Sequence, residues 1–121
     1  MARLLVIDDD VDLATLTSLR LRRVGHSVEA VHNGSAGLAA IRSTHPELVV
    51  LDWMMPGLDG IEVAEAVHAD DSISSIPLVM LTARSGTSDI DRALEAGVTA
   101  VMTKPYVPAE LTDRIARILA A

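Results

Sequence analysis

The sequence predicts an α/β domain, with five parallel strands in one doubly wound sheet and helices on both faces. Two observations carry that expectation. Short apolar runs of strand length recur at residues 4–7, 27–31, 48–51, 78–81 and 99–102. Leu4-Leu5-Val6-Ile7 and Leu48-Val49-Val50-Leu51 are apolar throughout, as strands buried on both faces must be. Between the runs, apolar residues fall at helical spacing, and strand–helix alternation leads to a parallel sheet joined by right-handed crossovers.

The elements follow in order. After the first run, Leu13, Leu16, Leu21 and Val24 lie on one side of a helix, read as its core face, and Gly25 supplies the stop. A second helix carries Leu38 and Ile41, opens near Asn33-Gly34 and is closed by Pro46. Ile61, Ala64 and Val67 mark a third, begun at Asp59, a good N-cap type. Ala93 and Leu94 belong to a fourth, ended by Gly97. Val107, Leu111, Ile115 and Ile118 form the stripe of a fifth, with Pro108 near its first turn. Connections are short and there is no low-complexity segment, so residues 1–121 read as a single domain.

Composition narrows the class. Half of the 121 residues are hydrophobic, with no Phe, one Trp and one Tyr, so the core is aliphatic. Seventeen acidic residues against ten basic ones give a net charge of −7, which argues against direct nucleic-acid binding. No cysteine is present, so disulfide and thiolate chemistry are absent. With no charged leader before an apolar stretch and no apolar run near 18 residues, neither a signal peptide nor a membrane span is expected, and the location expected is cytoplasmic.

The strand ends carry the chemistry. The first run stops at Asp8-Asp9-Asp10 and the third at Asp52; the fourth leads into Thr82-Ala83 and the fifth into Lys104-Pro105. Each has a plain reading alone: Asp10 caps the next helix, Thr82 is a turn residue, Lys104 a surface charge. Together, at the carboxyl ends of parallel strands, they occupy the place where open α/β sheets bind ligands. Clustered carboxylates without His or Cys form a hard oxygen site suited to Mg²⁺. Two unit charges about 4 Å apart repel by roughly 1 kcal/mol in water and about 4 kcal/mol at an effective dielectric near 20, and a divalent cation reverses that sign. A carboxylate can also act as a nucleophile toward phosphorus, while a lysine neutralises phosphoryl oxygens and a threonine hydroxyl donates to one.

With those residues in view, the chain resembles the receiver domain of two-component response regulators from residue 3 to about residue 119. The matching stretches are Val6-Ile7-Asp8-Asp9-Asp10, the run from Leu51-Asp52-Trp53-Met54-Met55 through Pro56-Gly57-Leu58-Asp59-Gly60, Leu81-Thr82-Ala83, Glu95-Ala96-Gly97 and Lys104-Pro105. The resemblance implies the flavodoxin-like receiver fold, and that Asp52 accepts a phosphoryl group from the phosphohistidine of a sensor histidine kinase or phosphotransfer protein. It further implies that Asp9 binds Mg²⁺ (or Mn²⁺) directly and Asp8 mainly through water, with Asp52 and the backbone carbonyl of Met54 as further ligands. Lys104 would pair with the phosphoryl oxygens, Thr82 and the backbone N–H of Ala83 would bond them, and the Lys104-Pro105 bond would be cis. Trp53, beside the acceptor, is expected to be partly exposed, Tyr106 to pack in the core, and His26, His32, His45 and His68 to be scattered surface residues.

Three departures from the family pattern stand out. Val101 occupies a position that is usually Tyr or Phe in receivers; its β-branched side chain has a stiff χ1 and no ring to swing. Of a charged dimer network found in the winged-helix branch, Glu95, Glu110 and Arg114 remain, but Ile90, Thr99 and Ala100 replace an Arg and two Asp. The expectation is therefore a monomer or weak dimer, with Ile90 and Ala100 exposed in an apolar patch. Met54 and Arg84 sit where the family tunes phosphoryl lifetime, and methionine cannot orient an attacking water.

The reading is thus a signalling phosphoacceptor that catalyses its own phosphorylation and slow dephosphorylation and controls an effector of unknown kind. The alternative is a receiver-like interaction module that is not phosphorylated, favoured only by Val101. A haloacid-dehalogenase-type phosphatase would need an Asp where Met54 stands, and an FMN carrier would need a phosphate loop where three aspartates would repel phosphate.

Overall fold

The computed structural model describes residues 2–121, so Met1 lies outside it. Strands and helices alternate along the chain as β1 (Arg3–Ile7), α1 (Val11–Arg23), β2 (Ser27–Val31), α2 (Gly34–Thr44), β3 (Leu48–Asp52), α3 (Gly60–Ala69), β4 (Leu78–Thr82), α4 (Thr87–Glu95), β5 (Ala100–Thr103) and α5 (Pro108–Ala120). The strands form one parallel sheet in the order β2-β1-β3-β4-β5.

Alternation of side chains across the pleat makes two cores. Leu4, Val6, Leu48, Val50, Val79 and Leu81 face α1 and α5 and pack on Ala14, Leu21, Leu111 and Ile115. Leu5, Ile7, Val49, Leu51, Leu78 and Met80 face the other way and pack on Ile41 of α2, Ile61, Ala64 and Val67 of α3, and Ala93 of α4. Both faces being covered explains why β1 and β3 read as continuous apolar runs.

The helix ends follow the local chemistry of the sequence. Asp10 accepts from the Leu13 amide at 3.1 Å, and Asn33 from the Ala36 amide at 2.7 Å. Asp59 and Glu62 form a reciprocal capping box at the start of α3. Gly25 and Gly97, just past α1 and α4, have φ of +101° and +102°, a conformation that favours glycine.

The structure moves the core face of α1. Its buried residues are Ala14, Thr17, Ser18 and Leu21, while Leu13, Leu16 and Val24 are 43, 42 and 48 % exposed. Positions 14, 17, 18 and 21 are themselves a helical stripe, but a weakly apolar one, so hydrophobic periodicity is right about Leu21 and sets the rest of the face too far round toward Leu13 and Leu16. Its two hydroxyls can be buried because both find partners. Ser18 donates to the Ala14 carbonyl at 2.7 Å, and Thr17 Oγ1 lies 3.2 Å from the Tyr106 hydroxyl. Small residues there also let α1 lie close to the sheet.

Two further expectations are corrected. Val107 is 55 % exposed because it is the N-cap of α5 rather than part of its buried stripe, which Leu111 and Ile115 supply. Ala100 is buried in β5 and Ile90 is half-buried, so the two do not make an exposed apolar patch. Thr99 instead starts the β4–β5 pairing. Its Oγ1 accepts from the Leu78 amide at 3.1 Å, and its own amide donates to the Leu78 carbonyl at 2.8 Å.

The revised face of α1 is open to a direct measurement. In urea unfolding, Leu21→Ala is expected to cost about 2–5 kcal/mol. Leu13→Ala and Leu16→Ala are expected to cost less than about 1 kcal/mol each. Equal losses at all three sites would restore the face that hydrophobic periodicity suggests.

Candidate functional site

Register builds the site. Ile7 pairs with Leu51, so Asp8 and Asp52 leave adjoining strands side by side. The Asp8 amide extends the ladder by donating to the Val31 carbonyl at 3.1 Å. Thr82 pairs with Thr103, and the next amide, that of Lys104, donates to the Thr82 carbonyl at 2.7 Å. The ends of β1, β3, β4 and β5 therefore bring Asp8, Asp52, Thr82 and Lys104 to one edge of the sheet.

Asp8, Asp9 and Asp52 each offer a carboxylate oxygen, and the three atoms lie within 4.8 Å of one another. Asp8 is buried, Asp9 exposed, and the Asp52 side chain 12 % exposed. Lys104 Nζ donates to Asp52 Oδ1 at 3.0 Å. One cation thus faces three carboxylates. Burial pushes the Asp8 carboxyl up to about 6, and the Asp52 charge adds to that rise. The Asp10 amide, donating to Asp8 Oδ1 at 3.0 Å, and the Lys104 charge oppose it. An all-oxygen donor set carrying excess negative charge fits a hard divalent cation.

The connection after β3 is held from below. The Gly60 amide donates to the Trp53 carbonyl at 2.8 Å, and a Cβ at Gly60 would collide with the Asp52 carbonyl and the Trp53 Cα. Only glycine lets α3 start this close to the strand that carries Asp52. In the same connection Met55 is buried and Met54 directs its side chain outward, 55 % exposed.

Thr82 is buried, and its Oγ1 accepts from the Arg84 amide at 2.9 Å. The Arg84 guanidinium lies 5.1 Å from the centre of the Trp53 ring and pairs with Asp89 at 3.1 Å. Trp53 is therefore not partly exposed. It is 4 % exposed, packed in the core between β3 and α3 and covered by Arg84. Ala83 is exposed, and Val101 is half-buried against the same core. The Lys104-Pro105 bond is cis, as expected. Tyr106 is half-buried against the α1–α5 core.

Two features of the site go beyond what the sequence pattern suggests. His32 is exposed, as expected, yet its Nδ1 lies 3.2 Å from the Asp8 carbonyl. The signal for it is its place directly after β2, the neighbour of β1. A cavity of about 370 Å³ opens between α1 and the start of α5, lined by Leu13, Leu16, Arg20, Pro105 and Tyr106 and reaching Asp8 and Lys104.

The model of the response regulator receiver domain matches residues 4–116. The chain belongs to that family. The DNA-binding response regulator MtrA of Mycolicibacterium smegmatis is 42 % identical over 113 residues, which are 93 % of this chain and 48 % of MtrA. The transcriptional regulatory protein CseB of Streptomyces avermitilis is 40 % identical, over 96 % of this chain and 48 % of its own. This receiver thus spans about half the length of the curated relatives it matches. Among solved structures, a putative response regulator from Chloroflexus aurantiacus superposes with a TM-score of 0.94 at 32 % identity, covering 99 % of this chain and 98 % of the other. The chemotaxis protein CheY4 of Vibrio cholerae gives 0.91 at 26 % identity, over 98 % of each chain. Among the described residues no helix of the receiver is long and apolar enough to cross a membrane.

The raised Asp8 carboxyl makes a signed pH dependence. Its folded value, about 6, lies above its ordinary 3.8, so the folded state holds the proton more tightly. The associated stability is present below pH 4 and is lost as pH rises through 6. Without divalent cations, the wild type is expected to gain about 1 kcal/mol between pH 7 and pH 5 relative to Asp8→Asn. Parallel stability profiles for the two proteins in denaturant titrations would count against this.

Proposed function

We propose that this receiver accepts a phosphoryl group on Asp52 in a Mg²⁺-assisted transfer from the phosphohistidine of a sensor histidine kinase or phosphotransfer protein. The observation that carries the reading is the Lys104–Asp52 contact at 3.0 Å beside the buried Asp8 and exposed Asp9. A carboxylate oxygen of Asp52 attacks phosphorus, the P–N bond breaks, and the imidazole of the donor leaves with the electron pair. Lys104 neutralises the incoming phosphoryl oxygens, and Thr82 Oγ1 and the Ala83 amide bond them. Asp9 and Asp8 would hold the metal, with Asp52 and the Met54 carbonyl as further protein ligands. When bound, the metal screens the carboxylates from each other and from the phosphoryl group.

A donor histidine must come over the rim of the site to reach Asp52. The exposed Leu13 and Leu16 and the cavity they share with Tyr106 lie on that rim, which supports docking of an apolar donor surface along α1. The domain as read covers residues 1–121 and acts as a monomer or weak dimer in the cytoplasm, controlling an effector through the phosphorylated state. A binding-only module is the second reading, and Val101 is the residue that favours it.

Intact mass after treatment with acetyl phosphate and Mg²⁺ separates the two. The wild type is expected to gain one phosphoryl group and Asp52→Asn none. Absence of any gain in the wild type, together with no binding of beryllofluoride, would leave the binding-only module. The phosphorylated form is expected to lose its group over minutes to hours without a phosphatase, because the Met54 thioether is only a weak acceptor and holds a water poorly for attack. Loss within seconds at neutral pH would refute that.

A further inference from the structure

Phosphoacceptance as read above asks Thr82 to offer its hydroxyl to a phosphoryl oxygen, and the structure shows what holds that hydroxyl beforehand. Thr82 Oγ1 accepts from the Arg84 amide at 2.9 Å. Arg84 is in turn anchored twice through its side chain. Its guanidinium lies over the Trp53 ring at 5.1 Å, and its terminal nitrogen is 3.1 Å from Asp89 Oδ1 in the first turn of α4. Trp53 directly follows Asp52 and is packed in the core, so it is a fixed anchor point. The N-cap of α4, Gly86, has no side chain with which to cap the helix, which leaves the Arg84–Asp89 pair as the side-chain tie between the end of β4 and α4 among the described residues.

We propose that Arg84 is a positioning residue that latches the Thr82 hydroxyl in its unphosphorylated orientation and couples its release to the start of α4. The inference rests on the phosphoacceptor reading. Rotation of the Thr82 side chain either breaks the bond to the Arg84 amide or drags that amide along. Dragging it slides the guanidinium across the indole or away from Asp89. Because position 101 is a valine packed against the core, β5 has no ring to swing, and the displacement is taken up by residues 83–89. A latch of this kind opposes the phosphorylated conformation, so loosening it shifts the population toward that state.

The test uses beryllofluoride with Mg²⁺ as the phosphoryl mimic and measures its affinity calorimetrically for the whole chain. Arg84→Ala and Asp89→Asn are expected to bind it roughly three- to tenfold more tightly than wild type. The double variant is expected to be no tighter than Arg84→Ala, since both changes open one latch. Arg84→Lys, which keeps a cation for Trp53 and Asp89, is expected to fall between wild type and Arg84→Ala. Trp53 emission should change on ligand addition in the wild type and change little in Arg84→Ala, where the ring is already uncovered. The Asp89 side chain is partly exposed, so its variant guards against a folding artefact at Arg84. Affinities within twofold of wild type, weaker binding in Arg84→Ala, or additive effects in the double variant would overturn the latch alone. Failure of the wild type to bind the mimic would overturn the phosphoacceptor reading and the latch with it.

Discussion

The pairing of Ile7 with Leu51 puts Asp8 next to Asp52, and with Asp9 this forces three carboxylates together at the end of the sheet. No folded protein gains stability from such a grouping on its own, since like charges repel and burial disfavours the ionised form. The surroundings are arranged around that cost. Lys104 reaches across from the end of β5 to Asp52, and the Asp10 amide turns back to Asp8. The Asp10 carboxylate stands apart from the cluster and caps α1. Adjacent aspartates in one tripeptide therefore do different work because the strand ends between them and the helix begins.

The same edge explains the tight tolerances below it. Asp52 sits on a strand whose next residues turn directly into a connection clamped by Gly60, and Trp53 is wedged beneath Arg84. A site built at strand ends inherits the rigidity of the sheet on one side and the mobility of short connections on the other. Thr82 stands on the boundary between the two, buried on β4 yet bonded to a residue of the exposed segment that follows. Val101, half-buried against the core, gives β5 no aromatic ring at this position.

Much of this is legible in the sequence, for physical reasons. Strands covered on both faces must be continuously apolar, and helix starts need a side-chain acceptor, so β1, β3, Asp10, Asn33 and Asp59 announce themselves. The strand-end residues Asp8, Asp52, Thr82 and Lys104 are readable because parallel strands end on one side of a sheet. The buried face of α1 is not, because Thr17 and Ser18 are inside only by virtue of partners, one of which, Tyr106, is far away in the chain. The covering of Trp53 depends on Arg84, which reaches it across the ends of two strands. His32 comes near Asp8 only through the β1–β2 pairing. Local pattern reports what an element demands of its own residues, whereas these three features are demands of one element on another.

Lys104 is the only lysine in the chain; every other strongly basic side chain is an arginine. Its ε-amine is therefore a unique chemical address, and one only partly open to solvent. Acylation of a lysine side chain in this domain has a single place to occur. There it would erase the positive charge paired with Asp52, so acylation of the domain would leave its three clustered carboxylates with no lysine facing them.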